Sequence, residues 1–311
     1  MKKVFVFALF ALFIHLDFSV AQTSLWRRNR KEFLFGAGAT NFLGDLGGAN
    51  QIGTNGLKDF EFPCIRPDFI VGYRYRTTRE TSIKANLIYA TLAGDDKLTT
   101  EMFRSNRNAN FKSPTIELSG QFEYTIVREK PGHIYNLKGV RGWRYIQVTS
   151  YLFAGAGVLW FNPKGKGYPE NSDKWYNLRP LTTEGQGLVP SRKKYSQFQF
   201  VIPVGIGFKF ALSKEWSVGI EYGMRKTFTD YIDDVSKTYF DPATLMQKKG
   251  PVAVYFANPS PTANGPDLEW QYVTSAGQQR GDPRDKDSYM NAFISFYYKI
   301  PRGRFTLPKF R

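Results

Sequence analysis

One run of the chain, from Ser196 to Phe210, constrains the fold more than any other. Every second residue from Phe198 onward is large and apolar, and the residues between them are mostly small or polar. A period of two places these two sets on opposite faces of one strand. Such a strand fits the wall of a membrane barrel, with lipid on one side and packed side chains on the other. The alternative is a long strand of a soluble β-sandwich.

Seven further runs show β periodicity, so the chain is expected to contain eight strands. Their predicted bounds are 32–41, 68–76, 82–92, 113–128, 145–161, 196–210, 216–227 and 288–300. The turns near 77–81 and 211–215 are tight, the connection 129–144 is of medium length, and the other connections are long. Tight turns at one end and long loops at the other are typical of outer-membrane barrels.

An even number of antiparallel strands can also close on itself, which satisfies every backbone group within the lipid layer. The predicted fold class is therefore all-β: an eight-stranded antiparallel transmembrane β-barrel with long extracellular loops, an OmpA-like up-and-down barrel.

The amino-terminal residues indicate export. Lys2 and Lys3 precede an apolar run, and Ser19–Val20–Ala21 forms a small-residue cleavage site, which is the pattern of a secretory signal peptide. We expect a signal peptide over 1–21, a short periplasmic segment over 22–31, the barrel over 32–300 and a basic periplasmic tail over 301–311. The expected location is the bacterial outer membrane, with both termini and the short turns in the periplasm.

The net charge of +16 raises the question of an anionic partner. An exported chain without a nucleic-acid motif is not expected to bind nucleic acid. Outer-membrane lipid and lipopolysaccharide headgroups, acidic glycans or an acidic protein are the expected partners. The single cysteine, Cys64, excludes an intramolecular disulfide framework and a multi-cysteine metal site.

Charged residues occupy inward positions of several predicted strands. An eight-stranded barrel is just wide enough inside for side chains, and buried charges need partners. Both signs are present, which predicts a cross-linked polar plug rather than a continuous channel. Gly205 and Gly207 are expected to leave space for longer neighbours such as Glu221 or Arg225. The inward residues are Arg74, Lys84, Glu117, Glu123, Glu221, Arg225 and Lys299.

The sequence offers little support for a catalytic site, a cofactor site or a metal site. The predicted mature chain has one histidine, His133, in the medium-length periplasmic connection, where a solvated turn histidine is the simpler interpretation. Asp230, Asp233 and Asp234 form an acidic cluster at a loop base, and such oxygen-rich clusters can hold calcium. The spacing is not that of an EF-hand, and a helix-capping or loop-bracing role for Asp230 is the alternative. No catalytic residue and no cofactor is predicted.

Basic residues gather on the expected periplasmic side. They form either a docking surface for an acidic protein or a solvated rim that orients the barrel, and both interpretations stay open. The docking candidates are Lys130, Lys138, Arg141, Arg144, Arg302 and Arg304.

The segment Phe228–Thr229–Asp230–Tyr231–Ile232–Asp233–Asp234–Val235–Ser236 resembles the PorG-type outer-membrane barrels of type IX secretion and gliding machinery. The residues 35–38, 41–48 and 223–226 are also similar to that family. The resemblance implies a non-enzymatic barrel that ties the outer membrane to a periplasmic ring of PorK and PorN proteins.

Three functions follow as hypotheses. The first is a structural anchor in a secretion or gliding complex. The second is a narrow channel or a surface-binding barrel for a glycan or an ion, and the third is an outer-leaflet lipid-modifying enzyme.

Overall fold

The computed structural model describes residues 30–46, 62–128, 148–213, 215–263 and 265–300. Eight long strands form the barrel wall, and two strands of two residues each lie in one loop. In chain order the strands are β1 (Lys31–Leu43), β2 (Arg66–Arg76), β3 (Thr81–Asp95), β4 (Asn110–Val127), β5 (Val148–Phe161), β6 (Lys164–Gly165), β7 (Tyr176–Asn177), β8 (Phe198–Ala211), β9 (Trp216–Thr227) and β10 (Ser288–Ile300).

The eight long strands close into a complete antiparallel barrel. Each strand pairs with its neighbour in the order β3–β2–β1–β10–β9–β8–β5–β4, and β4 pairs with β3 to complete the circle. The first and last strands pair along their whole length, from Lys31 opposite Ile300 to Leu43 opposite Ser288. The predicted eight-stranded antiparallel fold is confirmed. Closure leaves no unpaired sheet edge along the wall.

The predicted strand bounds agree closely with the observed ones. Those of β9 and β10 match the prediction, and the others differ by three residues or fewer where they can be compared. The predicted start of the fifth strand, at Tyr145, lies outside the described residues. Strand β8, predicted over 196–210, begins at Phe198 rather than Ser196.

The outer wall is an apolar belt. In β8, Phe200 is 71% exposed and Val204 is 51% exposed, whereas Val201 between them is 1% exposed. The same alternation leaves large apolar side chains exposed on every wall strand, including Phe33, Phe69, Leu87, Leu118, Leu152, Ile220 and Ile294. Because a continuous belt of this kind is stable only when lipid covers it, the barrel spans a membrane, and closed β-barrels of this design belong to bacterial outer membranes.

The space beside Gly205 and Gly207, the two inward glycines of β8, is occupied by residues other than those expected. A Cβ at Gly207 would lie 2.2 Å from the ring of Tyr151, and one at Gly205 would lie 2.5 Å from the ring of Phe153. The prediction that Glu221 or Arg225 occupies this space is therefore wrong. The pairing of β8 with β5 brings two aromatic side chains into the space.

Short and long connections separate at the two ends of the barrel. The described turn residues 77–80, 212–213 and 215 lie at one end, and those of the long connections, 44–46, 62–65, 96–109, 162–197, 228–263 and 265–287, lie at the other. The long connections are not plain loops, because their described residues contain five short helices. These are α1 (Met102–Arg107), α2 (Leu178–Leu181), α3 (Pro242–Lys249), α4 (Pro251–Ala257) and α5 (Leu268–Val273).

None of the helices in the described part of the chain is long and apolar enough to cross a membrane.

The described residues of the long connections form a packed unit, which we call the cap. Its main apolar core lies at the barrel mouth, where Phe42 and Phe111 pack edge to face at 4.8 Å between ring centres. Ile232 and Val235, from the segment after β9, are buried in the same core. Cap and barrel therefore share one continuous hydrophobic core.

Candidate functional site

A ladder of six charged side chains crosses the barrel interior near its short-turn end. The Lys209 ammonium contacts the Glu32 carboxylate at 2.8 Å, and Glu32 in turn accepts a hydrogen bond from Arg74 at 3.0 Å. Arg74 also donates to Glu123 at 2.5 Å. Lys84 completes the ladder, with its ammonium 3.3 Å from Glu123 and 2.5 Å from Glu221. Positive and negative groups alternate along its whole length.

Every wall strand contributes to this ladder or to its hydrogen bonds. Glu32, Arg74, Lys84, Glu123, Lys209 and Glu221 come from β1, β2, β3, β4, β8 and β9. The two remaining strands supply tyrosines: Tyr151 of β5 donates to Glu221 at 2.9 Å, and its hydroxyl lies 3.1 Å from that of Tyr297 of β10. The charge ladder thus ties together all eight strands.

A second polar layer lies closer to the long-loop end. Glu117 accepts a hydrogen bond from the Tyr289 hydroxyl at 2.8 Å and has the Arg225 guanidinium at 3.4 Å. Asn291 donates to the Asp68 carboxylate. The apolar core of the cap lies above this layer and includes Tyr289 itself.

The interior is balanced in charge and closed to solvent. Among the described strand residues, the buried charged side chains comprise five acids and five bases. Each of these ten residues is at most 7% exposed, so solvent does not reach the charged groups in the lumen. The ten residues are Glu32, Asp68, Glu117, Glu123 and Glu221, with Arg74, Lys84, Lys209, Arg225 and Lys299.

All seven inward residues from the sequence analysis are buried in the barrel. Arg74, Lys84, Glu123 and Glu221 meet in the ladder, whereas Glu117 and Arg225 form the second layer. Sequence reasoning left Glu32, Asp68 and Lys209 out of the network. The signal for Glu32 and Lys209 was available, because both occupy the inward positions of strands whose alternation is clear.

The segment from Phe228 to Ser236 organises the cap. Its apolar members Ile232 and Val235 are buried in the core, and its acidic members hold neighbouring segments. Asp233 accepts hydrogen bonds from the backbone N–H groups of Leu46 at 3.0 Å and Val235 at 2.9 Å.

Asp234 adopts a left-handed backbone conformation with φ of 66°, which aspartate tolerates better than most residues. Its carboxylate accepts from the Tyr195 hydroxyl at 2.7 Å and from Thr183 at 2.5 Å. The bracing role expected of Asp230 is thus performed by Asp233 and Asp234.

Two arginines link this segment to the other loops. Arg280 donates to Glu184 at 3.0 Å and to the carbonyl oxygen of Asp234 at 2.7 Å. Arg107 donates to Asp96 at 2.7 Å and to the carbonyl oxygens of Arg280 at 2.7 Å and Asp45 at 2.6 Å. We call this network the loop hub: Asp45, Asp96, Arg107, Glu184, Asp230, Asp233, Asp234, Arg280 and Asp287.

In contrast to the barrel interior, the loop hub is rich in acids. Asp230 is 2% exposed, and neither of its carboxylate oxygens meets a hydrogen-bond donor at good geometry among the described residues. Burial, together with the nearby Asp45 carboxylate, raises the pKa of Asp230 to about 9, although the adjacent Ser236 hydroxyl offsets part of the shift.

Three neighbours share this environment. Burial and the Asp45 carboxylate raise the pKa of Asp233 well above its usual range, and burial with Asp233 and Asp230 does the same for Asp287. Burial also raises the pKa of Asp45 to about 6. Burial therefore shifts all four carboxyl groups toward the protonated form relative to an aspartate in water.

Asp230, Asp233 and Asp234 were the calcium candidates. Among the residues that the structure describes, no group of three or more His, Cys, Asp or Glu side chains is placed to hold a metal ion. Asp233 and Asp234 direct their oxygens to different protein donors.

A cavity of about 420 Å³ opens beside the loop hub. Helix α1 forms one wall, and the segment 272–285 forms the other, with Asp45 and Tyr239 between them. Its size falls in the usual range for ligand sites, about 300–1,000 Å³.

The six docking candidates cannot be placed. Lys130, Lys138, Arg141, Arg144, Arg302 and Arg304 lie outside the described residues, as do the signal-like segment 1–21 and His133.

Comparison with known proteins supplies only distant likenesses. The chain matches no family model and none of the curated proteins. It is similar to the structure of Ail, the attachment invasion locus protein of Yersinia pestis, with 8% identity and a TM-score of 0.37 over 87% of this chain and 98% of that one.

Two other solved structures are similarly distant. Neisserial surface protein A shows 9% identity and a TM-score of 0.35 over 88% of this chain and 97% of that one. The outer membrane protein OprG from Pseudomonas aeruginosa shows 10% identity and a TM-score of 0.33, over 88% and 98%. Likenesses at this level carry no argument about function, which rests on the geometry described above.

Replacing Arg74 with alanine is expected to destabilise the barrel by about 3–5 kcal/mol, because it leaves Glu32 and Glu123 as buried charges with a partner missing. Urea unfolding of the barrel refolded in detergent micelles measures this change. The matched control is Arg128→Ala, which breaks the exposed pair with Glu80 and should cost less than about 1 kcal/mol. Equal losses for the two variants would contradict a structural role of the ladder.

The cap is expected to loosen as the pH rises. Aspartates in an unfolded segment titrate near about 3.9, whereas Asp45 and Asp230 in the folded hub titrate near about 6 and 9. The folded cap therefore binds more protons at these two sites, so the stability that they contribute is complete below about pH 4 and is lost as the pH rises through the folded pKa values.

Hydrogen exchange of the segment 228–236, corrected for intrinsic rates, measures this loss of protection between pH 5 and pH 9. Asp230→Asn should preserve protection at pH 9, whereas Asp173→Asn, at an exposed cap position, should behave like the unaltered protein. Protection that does not change with pH in the unaltered protein would refute the prediction.

Proposed function

We propose that this protein is a non-enzymatic, non-conducting outer-membrane barrel that serves as a structural anchor. The observation that carries the proposal is the charge ladder, whose six side chains cross the lumen and, with two tyrosines, connect all eight strands. A barrel closed in this way offers its two ends, rather than a passage, for function.

The finer proposal is an anchor in a type IX secretion or gliding complex, in which the short-turn end docks to a periplasmic ring of the PorK and PorN type. The likeness of Phe228–Ser236 to PorG-type barrels supports this proposal. The basic residues expected at the short-turn end support it as well, since a basic surface complements an acidic partner. In this arrangement the short turns and both termini face the periplasm.

Affinity isolation with cross-linking tests the anchor. A tag inserted in the cap leaves the short-turn end free, and gently solubilised envelopes should yield the barrel cross-linked to ring proteins. Charge reversal of Lys130, Lys138, Arg141 and Arg144 to glutamate should abolish the cross-links. Reversal of four exposed cap lysines, Lys193, Lys194, Lys248 and Lys249, is the matched control and should preserve them. Recovery of the barrel alone from the unaltered strain would contradict the proposal.

A second function, a surface-binding barrel, is favoured by a separate observation. The cap holds a cavity of about 420 Å³ on a hydrogen-bonded scaffold, whereas simple protective loops need no such cavity. The two functions are compatible, because they use opposite ends of the molecule.

A further inference from the structure

The cavity in the cap has a definite chemical character, and we propose that it receives a lysine or arginine side chain of a protein partner. The apolar residues that flank this basic side chain pack against α1 and α5. This proposal names the ligand class for the surface-binding function and rests on it. It is independent of the anchor at the short-turn end.

The charges around the cavity favour a cation. Four carboxylates line it: Asp45, Glu101, Asp282 and Asp285. Three arginines line it too, but two acids behind them offset two of their three positive charges. Asp96 pairs with Arg104 and Arg107, and Glu184 pairs with Arg280. The four lining carboxylates therefore exceed the one positive charge that remains, although the chain as a whole is strongly basic.

The hydrogen bonds of Arg107 and Arg280 also favour a cation as the ligand of the cavity. Arg107 donates to Asp96, to the carbonyl oxygen of Asp45 and to that of Arg280. Arg280 donates to Glu184 and to the carbonyl oxygens of Asp234 and Phe256. Every guanidinium nitrogen of the two residues except the buried Arg280 Nε donates to a protein acceptor among the described residues, so the two guanidinium groups are directed into the protein rather than toward an anion in the cavity. Asp285 is exposed and can accept from an incoming ammonium or guanidinium group.

The walls suit the aliphatic stem of a basic side chain. Phe103, Tyr239, Tyr272 and Val273 supply aromatic and apolar surface around the cavity. Lysine and arginine bury their methylene groups against such surface while the charged head meets carboxylates or aromatic faces.

An apolar patch continues from the cavity onto the cap surface. Met102 and Phe103 of α1 are 64% and 61% exposed, and Leu268 and Tyr272 of α5 are 77% and 66% exposed. Leu268 precedes Tyr272 by four residues and so lies on the same helix face. These side chains belong to the cap and not to the barrel wall, so the lipid belt does not explain their exposure. An apolar patch around an acidic cavity matches a partner segment with a basic residue between apolar ones.

Selection from a random peptide library tests the proposal. The full chain in lipid nanodiscs is the target for phage-displayed peptides, with the Asp282→Asn, Asp285→Asn double variant in nanodiscs as counter-selection. Enriched peptides should carry a lysine or arginine flanked by apolar residues. Enrichment of peptides without a basic residue, or no enrichment at all, would overturn the proposal.

Calorimetry with one enriched peptide then locates the site. Replacing its basic residue by norleucine should weaken binding by about tenfold or more, as should Tyr272→Ala in the protein. The double variant Glu170→Gln, Asp173→Asn removes two exposed cap acids away from the cavity, and Trp175→Ala removes an exposed cap aromatic. Both controls should bind as the unaltered protein does.

Equal weakening by the control variants, or unchanged binding by Tyr272→Ala, would overturn the assignment to this cavity. Unchanged urea unfolding of each variant shows that the barrel and cap remain folded. Binding of neutral oligosaccharides that the peptide does not displace would instead show a sugar site and contradict the proposal. Cross-linking to ring proteins should be unaffected by Tyr272→Ala, so the anchor proposal and the cavity proposal can fail independently.

Discussion

Ten charged side chains inside a narrow barrel are the constraint on which the rest of this structure depends. Each must find a partner, because an unpaired charge shielded from water is strongly unfavourable. Six of them meet this need in the ladder from Lys209 to Glu221, which forms only when the six strands that carry them are in register. A slip of one residue in any strand would turn its inward residues toward lipid. The ladder therefore specifies strand register in a fold whose outer face is uniformly apolar.

The cap follows a different principle. The barrel interior has equal numbers of buried acids and bases, whereas the loop hub has several buried carboxyl groups beyond what Arg107 and Arg280 can neutralise. The burial of Asp230 among other acids raises its pKa, so its protonation reduces the excess negative charge of the loop hub. The charges in the barrel interior are thus balanced by ion pairs, whereas those in the cap are balanced in part by protonation. That difference fits the proposed function, in which the barrel holds the molecule in the membrane and its two ends bind partners.

The sequence predicted the fold well because the fold depends on a local pattern. Alternation in Phe198–Phe210 identifies one lipid-facing strand, and the same pattern locates the other seven. It also places charged residues such as Arg74 and Lys84 inside. Alternation says nothing about which strands are neighbours across the lumen, so the partners within the ladder came only from the structure.

The cap was less predictable for a physical reason. Its helices are short and amphipathic periodicity needs several turns, so the long connections looked irregular. A start signal was nevertheless present at α3, where Asp241 caps the helix and Pro242 occupies its first turn. The loop hub joins residues such as Asp45 and Asp282, which are distant in sequence. No spacing rule predicts such contacts.

Ion conductance measures directly whether the barrel interior is sealed. The full chain is refolded, inserted into a planar lipid bilayer and held under voltage, with protein-free detergent as the control. We expect no steady current above that of the control, because the charge ladder, the second polar layer and the apolar core of the cap all lie across the lumen. Reproducible single-channel steps from the unaltered protein would contradict it.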